Sequence, residues 1–314
     1  MQDGLTRSGL SLKGELVVAW GGRVVLCMLG SFPLVCLTAL ALLLAACDKP
    51  PEASQGTIRV GLLPDEKPSK VMARHKPLFE FLEKETGLRF EITVPKSYEA
   101  LEALFADGAI DMAYFGGLSY VNAHRQSGAV PLVSRDVDRA FTSVFLASAD
   151  VAGTELKDFV GLSFSFGSER STSGHLMPRH FLMAQFIDPE NFFSRVEYAG
   201  AHDKTIQNVE AGRVALGAAN SLIYRQMLAD GRLREGKTRV VWETPPYADY
   251  VWAVQRDMAA VRQDQFTAAF LKLDPAHESH AAVLDSVRAG RFLKAEVSDF
   301  KELEDVALSL ELME

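Results

Sequence analysis

The sequence predicts an α/β protein whose body, residues 57–314, forms two lobes joined by two crossover strands. Three observations carry this. Short apolar strands alternate with amphipathic helices along the whole body, which implies mostly parallel sheets covered by helices. The body is long enough for two lobes of roughly 100–150 residues each. A strand-rich block over 141–244 is followed by the segment Pro245-Pro246-Tyr247-Ala248-Asp249-Tyr250-Val251-Trp252, which reads as the return of the chain to the first lobe. The lobes are therefore 57–140 with 245–314, and 141–244.

The elements follow in order. Thr57 to Leu63 reads as a first strand, and Pro64-Asp65-Glu66-Lys67-Pro68 as a loop. A helix then runs to about Glu85, stopped by Gly87 at the C′ position. Phe90 to Val94 is a second strand. Ser97 suits an N-cap, with Leu101, Leu104 and Phe105 on one helical face and Gly108 as the stop. Ile110 to Phe115 is a third strand, ending in Gly116-Gly117. In the second lobe, strands are expected at Thr142 to Ala147, Gly161 to Phe166, Phe193 to Tyr198 and Val214 to Ala219, with a helix from about Asp203 to Gly212. Arg239 to Glu243 precedes the return crossing, and helices rich in Leu and Phe fill the carboxyl end.

The amino terminus is of a different kind. Residues 29–44 are almost wholly apolar, follow Arg23 and lead into Leu44-Ala45-Ala46-Cys47. A basic residue, a short apolar stretch and small residues before a cut describe a secretion signal. The stretch is short for a membrane span of about 20 residues. The ending resembles a bacterial lipobox, with residues 1–46 removed, Cys47 lipidated and 47–56 serving as a tether. Asp48 resembles an inner-membrane retention signal, and the expected address is the periplasmic face of the cytoplasmic membrane. Translation could start at Met1 or Met28.

The 314 residues contain three cysteines, Cys27, Cys36 and Cys47. Two fall in the leader, so the folded body has neither a disulfide nor a thiol nucleophile. Removal of the leader takes away three basic and two acidic residues and leaves a net charge of about −9. An acidic chain without a basic cluster is a poor nucleic-acid ligand. Any anion it binds must be held by local dipoles.

One segment has that character. Gly167-Ser168-Glu169-Arg170-Ser171-Thr172-Ser173-Gly174-His175 follows the alternating strand Gly161-Leu162-Ser163-Phe164-Ser165-Phe166 and opens a helix. The first turn of a helix leaves its N–H groups unpaired and carries partial positive charge. Hydroxyl-rich helix starts suit tetrahedral oxyanions, although Ser and Thr are also ordinary N-caps. His175 and His180 are five residues apart and do not share a face, which argues against a metal pair. No metal or cofactor is expected.

With Tyr98, Ile110-Asp111-Met112-Ala113-Tyr114-Phe115-Gly116-Gly117-Leu118-Ser119-Tyr120, Ser171-Thr172-Ser173-Gly174 with Pro178, Ala201-His202-Asp203 and Gly212 to Asn220 taken in order, the chain resembles a known group. It is similar to the substrate-binding lipoproteins of phosphate, phosphite and phosphonate ABC transporters, a branch of the type II periplasmic binding proteins. The resemblance covers essentially all of 57–314. It implies a monomeric, non-catalytic receptor that closes by a hinge on a small phosphorus oxyanion and delivers it to a membrane permease.

It also implies the contacts. Ser171, Thr172 and Ser173 would hold the phosphorus oxygens, Tyr98 would donate from the opposite lobe, and His202 would donate a ring N–H. Asp249 would face the ligand and select protonated forms by accepting a P–O–H. Tyr120, Phe141 and Asn220 complete the expected set. Arg170 and Lys204 flank the site. Binders of aminoethyl ligands place a carboxylate where this chain has Leu222, so an ammonium lacks a partner here. Phe141 stands where a relative has Tyr, removing one hydroxyl. Gly117 replaces a proline, a change expected to affect loop stiffness more than chemistry. These departures favour phosphite, methylphosphonate or phosphate, phosphite first among them. A ligand-sensing subunit of a signalling system would use the same lobes. An exported phosphoester hydrolase would need a Gly-x-Ser-x-Gly elbow or a metal cluster, and the sequence has neither.

Overall fold

A computed structural model describes residues 56–313. The proposed leader, Cys47 and most of the tether lie outside the described residues.

The strands, in chain order, are β1 (Thr57–Leu62), β2 (Arg89–Thr93), β3 (Met112–Phe115), β4 (Val130–Arg135), β5 (Ser143–Ser148), β6 (Ser163–Phe166), β7 (Arg195–Tyr198), β8 (Leu216–Asn220), β9 (Thr238–Glu243), β10 (Val251–Val254) and β11 (Phe292–Lys294). They form two sheets, a six-stranded one ordered β11-β4-β10-β3-β1-β2 and a five-stranded one ordered β7-β6-β8-β5-β9. Each sheet with its covering helices is called a lobe below, the six-stranded one first.

Both sheets are mixed, not mostly parallel. β10 runs antiparallel between β3 and β4, and β5 runs antiparallel between β8 and β9. These are the strands that enter each lobe from the other, so each arrives against the local direction. β3, β5, β8 and β10 are buried on both faces, whereas β2 and β7 at the edges alternate or stay open. β5 shows why one strand can serve two cores. Phe145 and Ala147 join the cluster on one face of the sheet, and Val144 and Leu146 join that on the other.

Local signals set the helix ends. The helix Pro68–Thr86 starts with proline and ends at Gly87, which takes φ 69° and donates its N–H to Glu83 O. The helix Tyr98–Ala106 is capped by Ser97, whose side chain accepts from Ala100 N. The helix Gly117–Ser127, strand β4 and the short edge strand β11 were not anticipated.

Two segments cross between the sheets. Phe141 and Tyr247 exchange both backbone hydrogen bonds, at 2.8 and 3.0 Å. Next to them Ser143 N–H donates to Thr244 Oγ1 and Thr244 N–H to Ser143 O. The crossings thus form a short two-stranded ribbon between the lobes.

Candidate functional site

The hydroxyl-rich segment forms a tight turn after β6. Gly167 N–H donates to Gly174 O, and Ser171 Oγ accepts from Gly174 N–H at 2.9 Å. Ser171 is therefore an N-cap as well as a candidate ligand group, and its own hydroxyl hydrogen remains to donate. The helix does not open directly. A π-helical turn, Thr172–Leu176, comes first and runs into the α-helix Met177–Ala184. Gly174 is required here, because a Cβ would sit 2.9 Å from both His202 Cε1 and Ser171 Oγ, and 3.1 Å from Gly167 Cα.

His175 braces this turn from behind. Its Nδ1 bonds to Glu169 O at 2.7 Å, so that nitrogen carries the proton. Nε2 then accepts from Arg179 Nε at 2.9 Å and from the Tyr198 hydroxyl at 3.1 Å. Burial pushes the ring down to about 4 and keeps it neutral.

The turn meets the first lobe at the start of the helix Gly117–Ser127. That helix has Gly116 as N-cap and no side chain of its own to cap it. Its orphan donors are taken from elsewhere: Leu118 N–H donates to Thr172 Oγ1 at 2.8 Å, and Gly117 N–H donates to Asp249 Oδ1 at 3.0 Å. The Gly117 departure is thus chemical, contrary to expectation, because a proline there would have no N–H for Asp249.

His202 opens the helix His202–Glu210. Its backbone N–H donates to Asp65 O across the lobes at 3.0 Å. Nδ1 accepts from Asn220 N–H at 3.2 Å, which leaves the proton on Nε2, 3.5 Å from Ser171 Oγ. Burial pushes the ring down to about 4, with the Asp65 carboxylate pulling the other way. His202 is a neutral N–H donor over the physiological range.

Asp249, in the return crossing, is 1% exposed. Burial pushes its carboxyl up to about 7, against the pull of the Gly117 N–H. Oδ2 makes no hydrogen bond of good geometry, and neither do the buried Tyr98 hydroxyl and Ser173 Oγ, although the Ser173 hydroxyl is close enough to pull on Asp249 and the Ser171 hydroxyl to pull on Tyr98. Burial first, then the Asp65 carboxylate, holds the Tyr98 phenol well above its ordinary range, so it stays a donor. These groups come from three separate segments and both lobes. Unpaired buried polar atoms are costly, typically about 1–3 kcal/mol each, and are rare in finished structures.

The structure brings together Tyr98, Ser171, Thr172, Ser173, His202 and Asp249, and Phe141 packs on Tyr247 and Tyr250, on either side of Asp249 in the chain. It does not bring Tyr120 to them: that ring packs 4.6 Å from Phe300 and feels Asp299, on the helical side of the first lobe. Asn220 acts at one remove. Its Oδ1 caps the helix Ser221–Ala229 through Ile223 N–H, and its Nδ2 donates to the Tyr250 hydroxyl at 2.8 Å.

Sequence reasoning missed Tyr250, Tyr247 and Ser143. Tyr250 stacks on Tyr114 and packs against Phe141. Ser143 Oγ donates to Ser173 O at 2.7 Å and in turn accepts from the Tyr247 hydroxyl. Both tyrosines flank Asp249 in the crossing, and their spacing around it was the available signal. Leu222 lines a cavity of about 330 Å³ beside the crossing segments with Phe141; the charged residue there is Arg225, paired with Glu243.

Beside the site, Glu66 collects three guanidinium groups. Arg74 and Arg288 come from its own lobe, and Arg232, at 2.9 Å, from the other. Asp203 Oδ2 also accepts Lys67 N–H across the seam.

A family model for the periplasmic substrate-binding proteins of phosphonate ABC transporters matches residues 60–300. The chain is 30% identical over 286 residues to the probable ABC transporter phosphite binding protein PhnD1 of Prochlorococcus marinus (strain MIT 9301), covering 87% of this chain and 96% of the relative. It is 30% identical over 234 residues to the phosphate-import protein PhnD of Mycolicibacterium smegmatis, covering 68% and 73%. The solved structure of PhnD1 from Prochlorococcus marinus in complex with methylphosphonate matches with a TM-score of 0.77, at 30% identity over 82% of this chain and 99% of that one.

Proposed function

We propose that this chain, which belongs to the periplasmic substrate-binding proteins of phosphonate ABC transporters, carries a small phosphorus oxyanion with one proton on it. The chain is the periplasmic substrate-binding component of such a transporter. Phosphite, methylphosphonate and phosphate are the candidate cargoes.

The observation that carries the reading is that three of the buried side-chain atoms without a hydrogen bond, Tyr98 OH, Ser173 Oγ and Asp249 Oδ2, belong to one constellation drawn from both lobes and the crossing. Two are hydroxyl donors and one is a carboxylate oxygen. Together with His202 Nε2–H and the hydroxyl of Ser171 they complement a tetrahedral centre with several acceptor oxygens and one acidic O–H. Asp249 and the ligand share one proton between them. Where Asp249 is ionised it accepts the P–O–H; where it is protonated it donates to an anionic oxygen. A fully deprotonated ligand facing an ionised Asp249 is repelled.

Ligand contacts from both lobes favour the closed arrangement, so binding and hinge closure are one equilibrium. The hinge is the Phe141–Tyr247 ribbon. A lipid on Cys47 holds the monomeric receptor at the membrane, where it delivers cargo to the permease, and it turns nothing over. An aminoethyl group would meet the apolar Leu222, which gives its ammonium no carboxylate, so aminoethylphosphonate is disfavoured.

Calorimetric titration of the phosphate-free protein with phosphite, methylphosphonate, phosphate and aminoethylphosphonate tests this reading. The expected result is tight binding of one of the first three, weakened in Ser173→Ala and in Tyr98→Phe. Binding of aminoethylphosphonate ahead of all three, or of none of the four, contradicts it.

A further inference from the structure

A second cavity, of about 620 Å³, opens at the seam between the lobes, lined by Glu102, Asn122, Gln126 and Arg170 among others. Three polar groups converge in its wall, with the Arg170 charge and the Ser119 and Asn122 side chains all pulling on the Glu102 carboxyl. Glu102 is 9% exposed and its Oε1 has no hydrogen-bond partner, nor has the buried Asn122 Nδ2. The Arg170 guanidinium acts through its charge on the Glu102 carboxyl. The Arg170 backbone is held on both sides, the N–H by Ser168 Oγ at 3.2 Å and the carbonyl by the Ser119 hydroxyl at 3.4 Å.

The cavity adjoins the ligand turn but is separate from the cleft. Tyr98 and Glu102 sit four residues apart on one helix and so share a face. Tyr98 belongs to the cleft and Glu102 to the seam. The Ser119–Arg170 contact lies between the two sites.

A guanidinium and an amide NH₂ only donate, while a carboxylate oxygen accepts. Their complement is a small centre with at least two acceptor oxygens and one acidic hydroxyl. A carboxylate ligand supplies acceptors alone and an ammonium supplies donors alone. We propose a second, weaker oxyanion site at this seam, where Arg170 and Asn122 hold the oxygens of a monoprotonated phosphorus oxyanion and Glu102 accepts its P–O–H. This inference rests on the reading that the cargo is such an oxyanion. Burial pushes the Glu102 carboxyl up to about 7, in keeping with a carboxyl that shares a proton with its ligand. Arg170 comes from one lobe and Glu102 and Asn122 from the other, so the site is assembled only when the lobes meet, and its occupancy favours the same closure as the cleft.

Calorimetric titration of the protein with methylphosphonate into the millimolar range tests it. Two classes of site are expected, one tight and one weaker. Asn122→Leu should weaken the second class about ten-fold, the loss of one hydrogen bond to a charged partner, with the first unchanged. Glu102→Leu, which removes the carboxyl and keeps a side chain of similar size, is expected to do the same. A single tight class in the wild type, or a second class that survives both substitutions, overturns this inference and leaves the cleft reading standing. Absence of both classes overturns both.

Discussion

Thr172 Oγ1 accepts the backbone N–H of Leu118 at 2.8 Å, so a residue of the hydroxyl-rich turn in one lobe caps a helix in the other. The helix Gly117–Ser127 has no cap of its own, and its first donors are completed only when Thr172 and Asp249 arrive. The hydroxyl-rich turn therefore fastens the lobes together.

Thr172→Val keeps the shape and removes the acceptor. Leu118 N–H is then left unpaired in a buried seam, at a cost of about 1–3 kcal/mol. Oxyanion affinity measured by calorimetry should fall by about ten-fold or more, by the same free energy. Thr172→Ser, which restores the oxygen, should recover most of it.

Asp249 predicts a pH dependence of stability in the ligand-free protein. Its folded pKa of about 7 lies above the ordinary value of 3.8, so the folded state holds a proton that the unfolded chain has released. Its contribution is fully present below pH 3.8 and is lost as pH rises through 7, a loss of roughly 4 kcal/mol. Asp249→Asn keeps an acceptor for Gly117 N–H and has no such dependence. In denaturant titrations from pH 4 to pH 8, the variant should gain on the wild type by about that amount.

His202 has the opposite sign. Its folded pKa of about 4 lies below the ordinary 6.5, so its contribution is full above pH 6.5 and is lost as pH falls through 4. His202→Gln should flatten the acid limb of the stability curve by about 3 kcal/mol. Oxyanion binding by the wild type should show no titration of this residue between pH 6 and 8.

Asn220 separates support from contact. Asn220→Ala removes both the cap on Ile223 N–H and the donor to Tyr250, and should lower stability by about 1–2 kcal/mol. Asn220→Asp restores the cap but not the donor, and sets a charge beside Tyr250. It should regain the stability while binding the oxyanion more weakly than wild type, as read from thermal unfolding and calorimetry on the same samples.

The features legible in the sequence are those fixed by neighbours along the chain. Gly87 and Ser97 end and start their helices through local geometry, and Ser171 to Gly174 announce a hydroxyl-rich helix start. What escaped depends on partners far away. The Gly117 and Leu118 N–H groups become part of the site only because Asp249 and Thr172, 132 and 54 residues on, are folded against them. Tyr250 faces the site because β10 inserts between β3 and β4, an order that no local pattern encodes. Tyr120 failed for the same reason, since the packing of Phe300 against its helix decides which way that ring faces. Asn220 was misread in kind: an Asn at the end of a strand and the head of a helix is a cap before it is a ligand.

The most direct test of the central claim counts protons. Methylphosphonate is titrated into the protein at pH 9 in buffers of different ionisation enthalpy, and the dependence of the heat on buffer gives the protons exchanged. A site that holds one proton between Asp249 and the ligand must draw it from solvent at that pH, so uptake approaching one proton per ligand is predicted, abolished in Asp249→Asn. Tight binding with no proton uptake by the wild type would contradict the account.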